Sequence, residues 1–213
     1  MFHVEPISRT TRALRLPTVR TINQPKPTPD SDRSSMTTIE APAELAFRVH
    51  AIPSSTLTEI RLAGHDRFGN ELTPIVDADG GSPLRCCLRR SAPGEELYLI
   101  AYRPFTRPGP YAEAGPVFVH ARPCPGYREN DAYPAGYRDW PPMVFRPYRH
   151  HAELNCDAIA YDAIEIGGGD TAEALIRTIF ADPTIDFIHT RNVHAGCFMF
   201  TVTRADVGPA PLA

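Results

Sequence analysis

Where the prolines fall constrains this chain more than any other feature of its sequence. Of 23 prolines in 213 residues, twelve lie between Pro83 and Pro147. Each removes a backbone donor and fixes one dihedral, so that stretch excludes a long helix and admits only short strands and ordered loops. The 42% hydrophobic content still suffices for the core of one domain. The expected fold class is therefore α+β: a single domain with a mostly antiparallel sheet of about six short strands, two helices on one side and proline-rich loops.

Local patterns supply the elements. An apolar run at 46–52 ending at Pro53 reads as a strand. Thr56 and Glu59 have capping-box spacing, with Leu57, Ile60 and Leu62 as one apolar stripe of a short helix. Residues 84–90, LRCCLRR, alternate between Pro83 and Pro93 as a strand would, and 96–105 follow as a second, so the two are expected to pair as a hairpin. Residues 117–121 make another strand, 143–148 a brief edge strand limited by Pro147, and 158–166 a longer one. Asp170 with Glu173 opens the clearest helix, whose Leu175, Ile176, Ile179 and Phe180 recur at helical spacing until Pro183. Residues 185–190 and 197–204 close the chain as a hairpin.

Charge narrows the partners. A formal charge of -3 and 22% charged residues do not describe a chain built to grip nucleic acid, and no apolar run approaches the roughly 20 residues of a membrane helix, so neither nucleic acid nor membrane is expected as a partner. Lys26 is the sole lysine among 22 basic residues, which removes internal Schiff-base and phosphate-loop chemistry from the rest of the chain. Arginine in its place suits a carboxylate or phosphate, although coding bias is the plainer account of the substitution. Five cysteines make an odd set with no secretory leader ahead of them, so a cytoplasmic protein with reduced thiols is expected. Residues 1–35 carry six basic against three acidic side chains and end in a proline and serine linker; they read as a disordered extension. Met36 opens a stretch like an ordinary start, which makes 36–213 the globular domain.

Chemistry-bearing residues are few. On an extended 84–90, Cys87 would share a face with Arg85 and Arg89, and fixed positive charge lowers a thiol pKa from its usual value of about 8.5. His120 is the candidate base and Glu113 its orienting group, against the plainer role of Cys87 as a small buried hydrophobe. The tip 191–196 offers Arg191, Asn192 and His194 as ligand contacts, or simply as turn residues. Soft ligands occur in three separated pieces: Cys86 with Cys87, His120 with Cys124, and His194 with Cys197. Without paired CxxC knuckles or an HExxH helix, no metal and no cofactor are expected. Gly167, Gly168 and Gly169 lack any phosphate-loop spacing and read as a turn.

Four ordered segments, PLRCCL, PGEELYLIAYRPF, GPYAEAGPVFVHARPC and RNVHAGCF, resemble the bacterial family known as domain of unknown function 1203, over roughly 47–204. The resemblance implies a single bacterial globular domain and transfers no substrate, cofactor or catalytic residue. The family pattern often carries a cysteine where Leu84 stands here, which weakens a CxxC reading at that place. Two functions remain open. One is a small-molecule site for an anionic or electrophilic ligand with a reactive Cys87. The other is a noncatalytic interaction module presenting Tyr111, Tyr127, Tyr133, Tyr137 and Trp140 on proline-rich loops.

Overall fold

A computed structural model describes residues 45–206. The expectations for 1–35 and for a start at Met36 lie outside the described residues. In chain order the elements are β1 (Phe47–His50), α1 (Ser54–Ala63), β2 (Ile75–Asp77), β3 (Pro83–Leu84), β4 (Arg89–Arg90), β5 (Glu95–Tyr102), β6 (Gly115–His120), β7 (Met143–His151), β8 (Cys156–Ile159), β9 (Glu165–Gly167), α2 (Ala172–Phe180), β10 (Phe187–Asn192) and β11 (Phe198–Arg204). The class is α+β, with two α-helices and mostly antiparallel short strands among the described residues. No helix among the described residues is long and apolar enough to cross a membrane.

The strands form two sheets rather than the one expected, and each sheet has its own helix. The larger runs β1-β11-β10-β7-β8 with β9 also on β7; the smaller runs β2-β5-β6-β3-β4. Helix α2 lays Ala172, Ile176, Ile179 and Phe180 against Phe145, Ile188, Phe200 and Val202 of the larger sheet. Each large side chain buried there contributes about 2 kcal/mol. Helix α1 shares a second cluster with Leu84, Ile100, Val117 and Val119 of the smaller sheet through Leu57 and Ile60. One long alternating chain cannot satisfy two separate cores, so the prolines and turns split it.

Several local expectations change for identifiable reasons. Residues 84–90 are not a strand: β3 and β4 are two-residue arms around a turn at 85–88, closed by Leu88 N–H donating to Leu84 O at 2.9 Å. Leu88 sits at φ 52°, a left-handed angle that no glycine or asparagine announced. β5 pairs with β2 and β6, and β3 joins β6 in parallel through Leu84 and Phe118, so the expected hairpin of 84–90 with 96–105 does not form. Despite Pro147, β7 is central, carrying β10 on one edge and β8 and β9 on the other. The run 158–166 breaks at a 3-10 turn, 161–163, between β8 and β9. The Thr56 capping box is absent, because α1 already starts at Ser54 behind Pro53 and Thr56 is buried within it. Asp170 lies in a 3-10 turn ahead of α2 and does not cap it.

Candidate metal centre

The turn between β3 and β4 carries Cys86 and Cys87, and its shape is fixed from several sides. Arg85 N–H donates to Phe118 O of β6 at 3.0 Å, Ile52 N–H to Arg85 O at 2.9 Å, and the Tyr137 hydroxyl to Leu84 O at 2.9 Å. Gly136 presses on the far side, where an added Cβ would lie 2.8 Å from Arg89 Cα. A turn pinned this way aims its side chains reproducibly. His120 is the last residue of β6, and Cys124 returns to it from the loop beyond. Arg61 of α1 shapes that return by donating to the carbonyls of His120, Ala121 and Arg122 at 2.9, 3.1 and 3.4 Å.

Cys86, Cys87, His120 and Cys124 converge, with all four ligand atoms within 4.8 Å of one another. Cys86 Sγ lies 3.9 Å from Cys87 Sγ and 3.2 Å from His120 Nδ1, and Cys87 Sγ lies 3.8 Å from the same nitrogen. A tetrahedral zinc with Zn–S of about 2.3 Å and Zn–N of about 2.0 Å demands ligand separations of roughly 3.8 Å for two sulfurs and 3.5 Å for sulfur and nitrogen. Cys86, Cys87 and His120 lie within a few tenths of an ångström of that frame, and Cys124 stands within 4.8 Å of each. Cys86 Sγ also accepts the His120 backbone N–H at 3.4 Å, a donor placed where a thiolate needs one.

A charged outer layer backs the imidazole. Arg89 grips Glu95 through two contacts of 2.7 and 3.0 Å and reaches His120 Nε2 at 3.0 Å, while Glu95 Oε1 lies 3.5 Å from the same nitrogen. A histidine that ligates through Nδ1 carries its proton on Nε2, where Glu95 Oε1 is the acceptor, and Arg89, a donor only, then holds the glutamate and not the ring. In the proton-bearing set, the hydrogen bond with Cys86 raises His120 to about 9, and Arg89 chiefly holds Glu95 down at about 2. The hydrogen bond from Cys86 lowers Cys87, with Arg89 assisting, whereas Cys124 is pushed up to about 12 by its bond with Cys86 and by burial.

Sequence candidates sort clearly against this geometry. Cys87, His120 and Arg89 come together. Arg85 does not: it is 1% exposed and turns inward, donating to Phe198 O, Pro83 O and Cys197 Sγ at 2.8, 2.5 and 3.1 Å. A turn replaces the two-residue alternation, so Arg85 and Arg89 never share a face with Cys87 between them. Glu113 sits elsewhere, paired with Arg146 and Arg191, and Glu95 takes the place beside His120 expected for it. Asn192 serves its turn, with Oδ1 accepting N–H bonds from His194 and Ala195 at 2.9 Å each, while His194 is exposed. The parallel pairing of β3 with β6 brings together pieces 34 residues apart, a convergence that CxxC or HExxH spacing does not register. The sequence signal that pointed here was the His120 and Cys124 pair beside adjacent cysteines; Glu95 and Arg61 gave none. Tyr133 and Tyr137 are core residues, with Tyr127 and Trp140 packed against that core, so four of the five aromatics expected on display turn inward, while Tyr111 is half-buried outside both cores. A cleft of about 930 Å³ lies elsewhere, lined by Arg107, His150, Asp157, Phe187 and Arg204 among others, and not by Cys87, His120 or Arg191.

A family model described as "Protein of unknown function (DUF1203)" matches residues 81–204, a span that holds all four converging ligands. No curated protein and no solved structure matches the chain. With well over half of its length matched, including both arms of the thiol turn and the whole closing hairpin, the chain belongs to the DUF1203 family.

Proposed function

We propose that this chain is a metal-binding protein that holds one zinc-class ion through Cys86, Cys87, His120 and Cys124. The observation that carries the reading is the mutual approach of three thiols and one imidazole within 4.8 Å. Four protein ligands leave no open position, which is the pattern of a structural ion rather than a catalytic one. The ion would tie the β3–β4 turn to the end of β6 and to the loop beyond, two pieces of chain otherwise joined by little backbone pairing. Five free thiols suit a reducing, cytoplasmic setting in which such an ion competes with no disulfide.

Full-length protein made without a histidine tag in zinc-supplemented medium is expected to carry about one zinc per chain, as structural sites do. Cobalt exchanged into it should show the intense visible bands of a tetrahedral thiolate complex. Cys86→Ser with Cys124→Ser should abolish both and lower the melting temperature by more than about 10 °C, since ion-binding free energy here is folding free energy. Zinc well below one equivalent in every preparation, with no cobalt spectrum, ends the metal reading.

One observation favours a second reading of the same residues. Cys87 is only partly buried, and Cys86 and Arg89 favour its thiolate, so the ion-free set is a nucleophile suited to an electrophilic small molecule. In chelator-treated protein, iodoacetamide should then modify Cys87 ahead of the other four cysteines. Slow, uniform labelling removes that reading and leaves the ion untouched.

A further inference from the structure

The face of the larger sheet turned away from α2 holds a second concentration of polar groups, unrelated to the thiols. On β7 and β10, Phe187 stands opposite Tyr148, His189 opposite Arg146 and Arg191 opposite Val144. Phe105, from the irregular 103–114 segment, packs over Tyr148 and His189 at ring distances of 5.2 and 4.7 Å, and Phe198 meets His189 at 5.3 Å. Inside this layer several buried polar atoms have no well-aligned hydrogen bond among the described residues: both nitrogens of His189, which lies by the Pro104 carbonyl, the Tyr148 hydroxyl, which lies by the Arg191 guanidinium, the Thr201 hydroxyl, and Nε of Arg191. Native interiors leave few such atoms, and a cluster of them calls for a specific cause.

Arg191 is the centre of the cluster. It is 5% exposed, with one nitrogen donating to Gly196 O at 3.1 Å. Its Nη2 faces Glu113 Oε1 at 2.8 Å, out of line for a hydrogen bond, and Arg146 contacts that same oxygen. Two guanidiniums held this close repel unless an anion stands between them. Their side of the arrangement is rigid, being built on two central strands. The anion's side is not: Glu113 is 47% exposed and comes from irregular chain between β5 and β6. No other carboxylate among the described residues pairs with Arg146 or Arg191. A buried cation needs its counterion, whereas a half-exposed glutamate gains little from supplying it.

We propose that Arg146, Arg191 and Tyr148 form a binding site for the carboxylate of a small organic acid, with Glu113 acting as its internal surrogate. The planar forks of the two arginines suit a carboxylate, and the Tyr148 hydroxyl, which otherwise turns to the Arg191 guanidinium, is a donor for its second oxygen. The site is independent of the thiol cluster and stands or falls without it. A ligand enters by displacing Glu113 outward, along the side on which that residue is already exposed.

The test uses the full chain and its Glu113→Gln variant, titrated with sodium acetate by calorimetry and by thermal shift, against sodium chloride and sodium sulfate at equal ionic strength. Removing the surrogate's charge should tighten acetate binding by about tenfold or more and make the melting temperature rise with acetate. Arg146→Gln added to that variant should erase the gain. If Glu113→Gln does not fold in chloride, refolding in acetate is the readout, and recovery there supports the site. Equal acetate affinity in both proteins, chloride or sulfate matching acetate, or no recovery on refolding overturns it.

Discussion

Two histidines in this molecule meet opposite fates. His120 sits at the end of β6 among three thiols, an arginine and a glutamate, and its hydrogen bond with Cys86 raises its pKa to about 9. His189 sits in the middle of the larger sheet, fully enclosed by Phe105, Tyr148, Phe187 and Phe198, and burial drives its pKa well down. The Pro104 carbonyl is the one neighbour that favours a proton there, and neither ring nitrogen makes an aligned hydrogen bond. The difference teaches that the side chain type says little by itself. Irregular backbone can aim several groups at one point, whereas regular strands hand each side chain to whatever the opposing layer provides.

The sharpest way to break the comparison is acid. The unfolded chain protonates His189 near 6.5, while the folded chain resists, so below that pH the unfolded state binds more protons. This contribution to stability is complete above pH 6.5 and is lost as pH falls, at up to about 1.4 kcal/mol per pH unit. Urea unfolding of ion-free protein at pH 7.5 and 5.5 should reveal it, and His189→Phe should remove that part of the slope. An unchanged slope in the variant means the enclosed ring is charged after all.

An effect of comparable size tests the aimed backbone. Gly136→Ala puts a methyl 2.8 Å from Arg89 Cα, a backbone atom that cannot step aside cheaply. Unfolding should show a loss of about 2 kcal/mol, and zinc affinity should fall with it, because the thiol turn is displaced. Stability lost with zinc affinity intact would show that the turn does not depend on that contact. Smallest is Glu95→Gln, which leaves the four ligands alone and weakens only the group behind the imidazole. Zinc affinity should drop by about tenfold, and the His120 pKa in ion-free protein should move down from about 9, as read by NMR titration. An unmoved titration makes Glu95 a partner of Arg89 only.

Legibility in the sequence followed the same division. Helix α2 and the β10–β11 hairpin could be read because the apolar spacing of Leu175, Ile176, Ile179 and Phe180, and the turn residues Asn192 and Gly196, are local signals. The 84–90 turn could not, since LRCCLRR alternates like a strand and its left-handed residue is a leucine. Pro147 argued for an edge, yet its carbonyl still accepts the Ala160 N–H at 3.0 Å, and the strand keeps neighbours on both sides. Cys87, His120 and Arg89 were named from the sequence as a thiol, its base and an anion contact, the last through an alternation that the turn does not keep. Their union with Cys86 and Cys124 depended on one parallel contact between Leu84 and Phe118, which no periodicity records.

The Arg61 clamp has a consequence for where this domain begins. Arg61 and the Ile52 amide, which brace the ligand loop and the thiol turn, both precede residue 81, where the family-matched span starts. A fragment trimmed to that span would keep every sulfur and nitrogen donor yet lose two of the struts that hold them in place. It would gather an ion as a loose peptide does, by collapsing around it, instead of receiving it in a preset cradle.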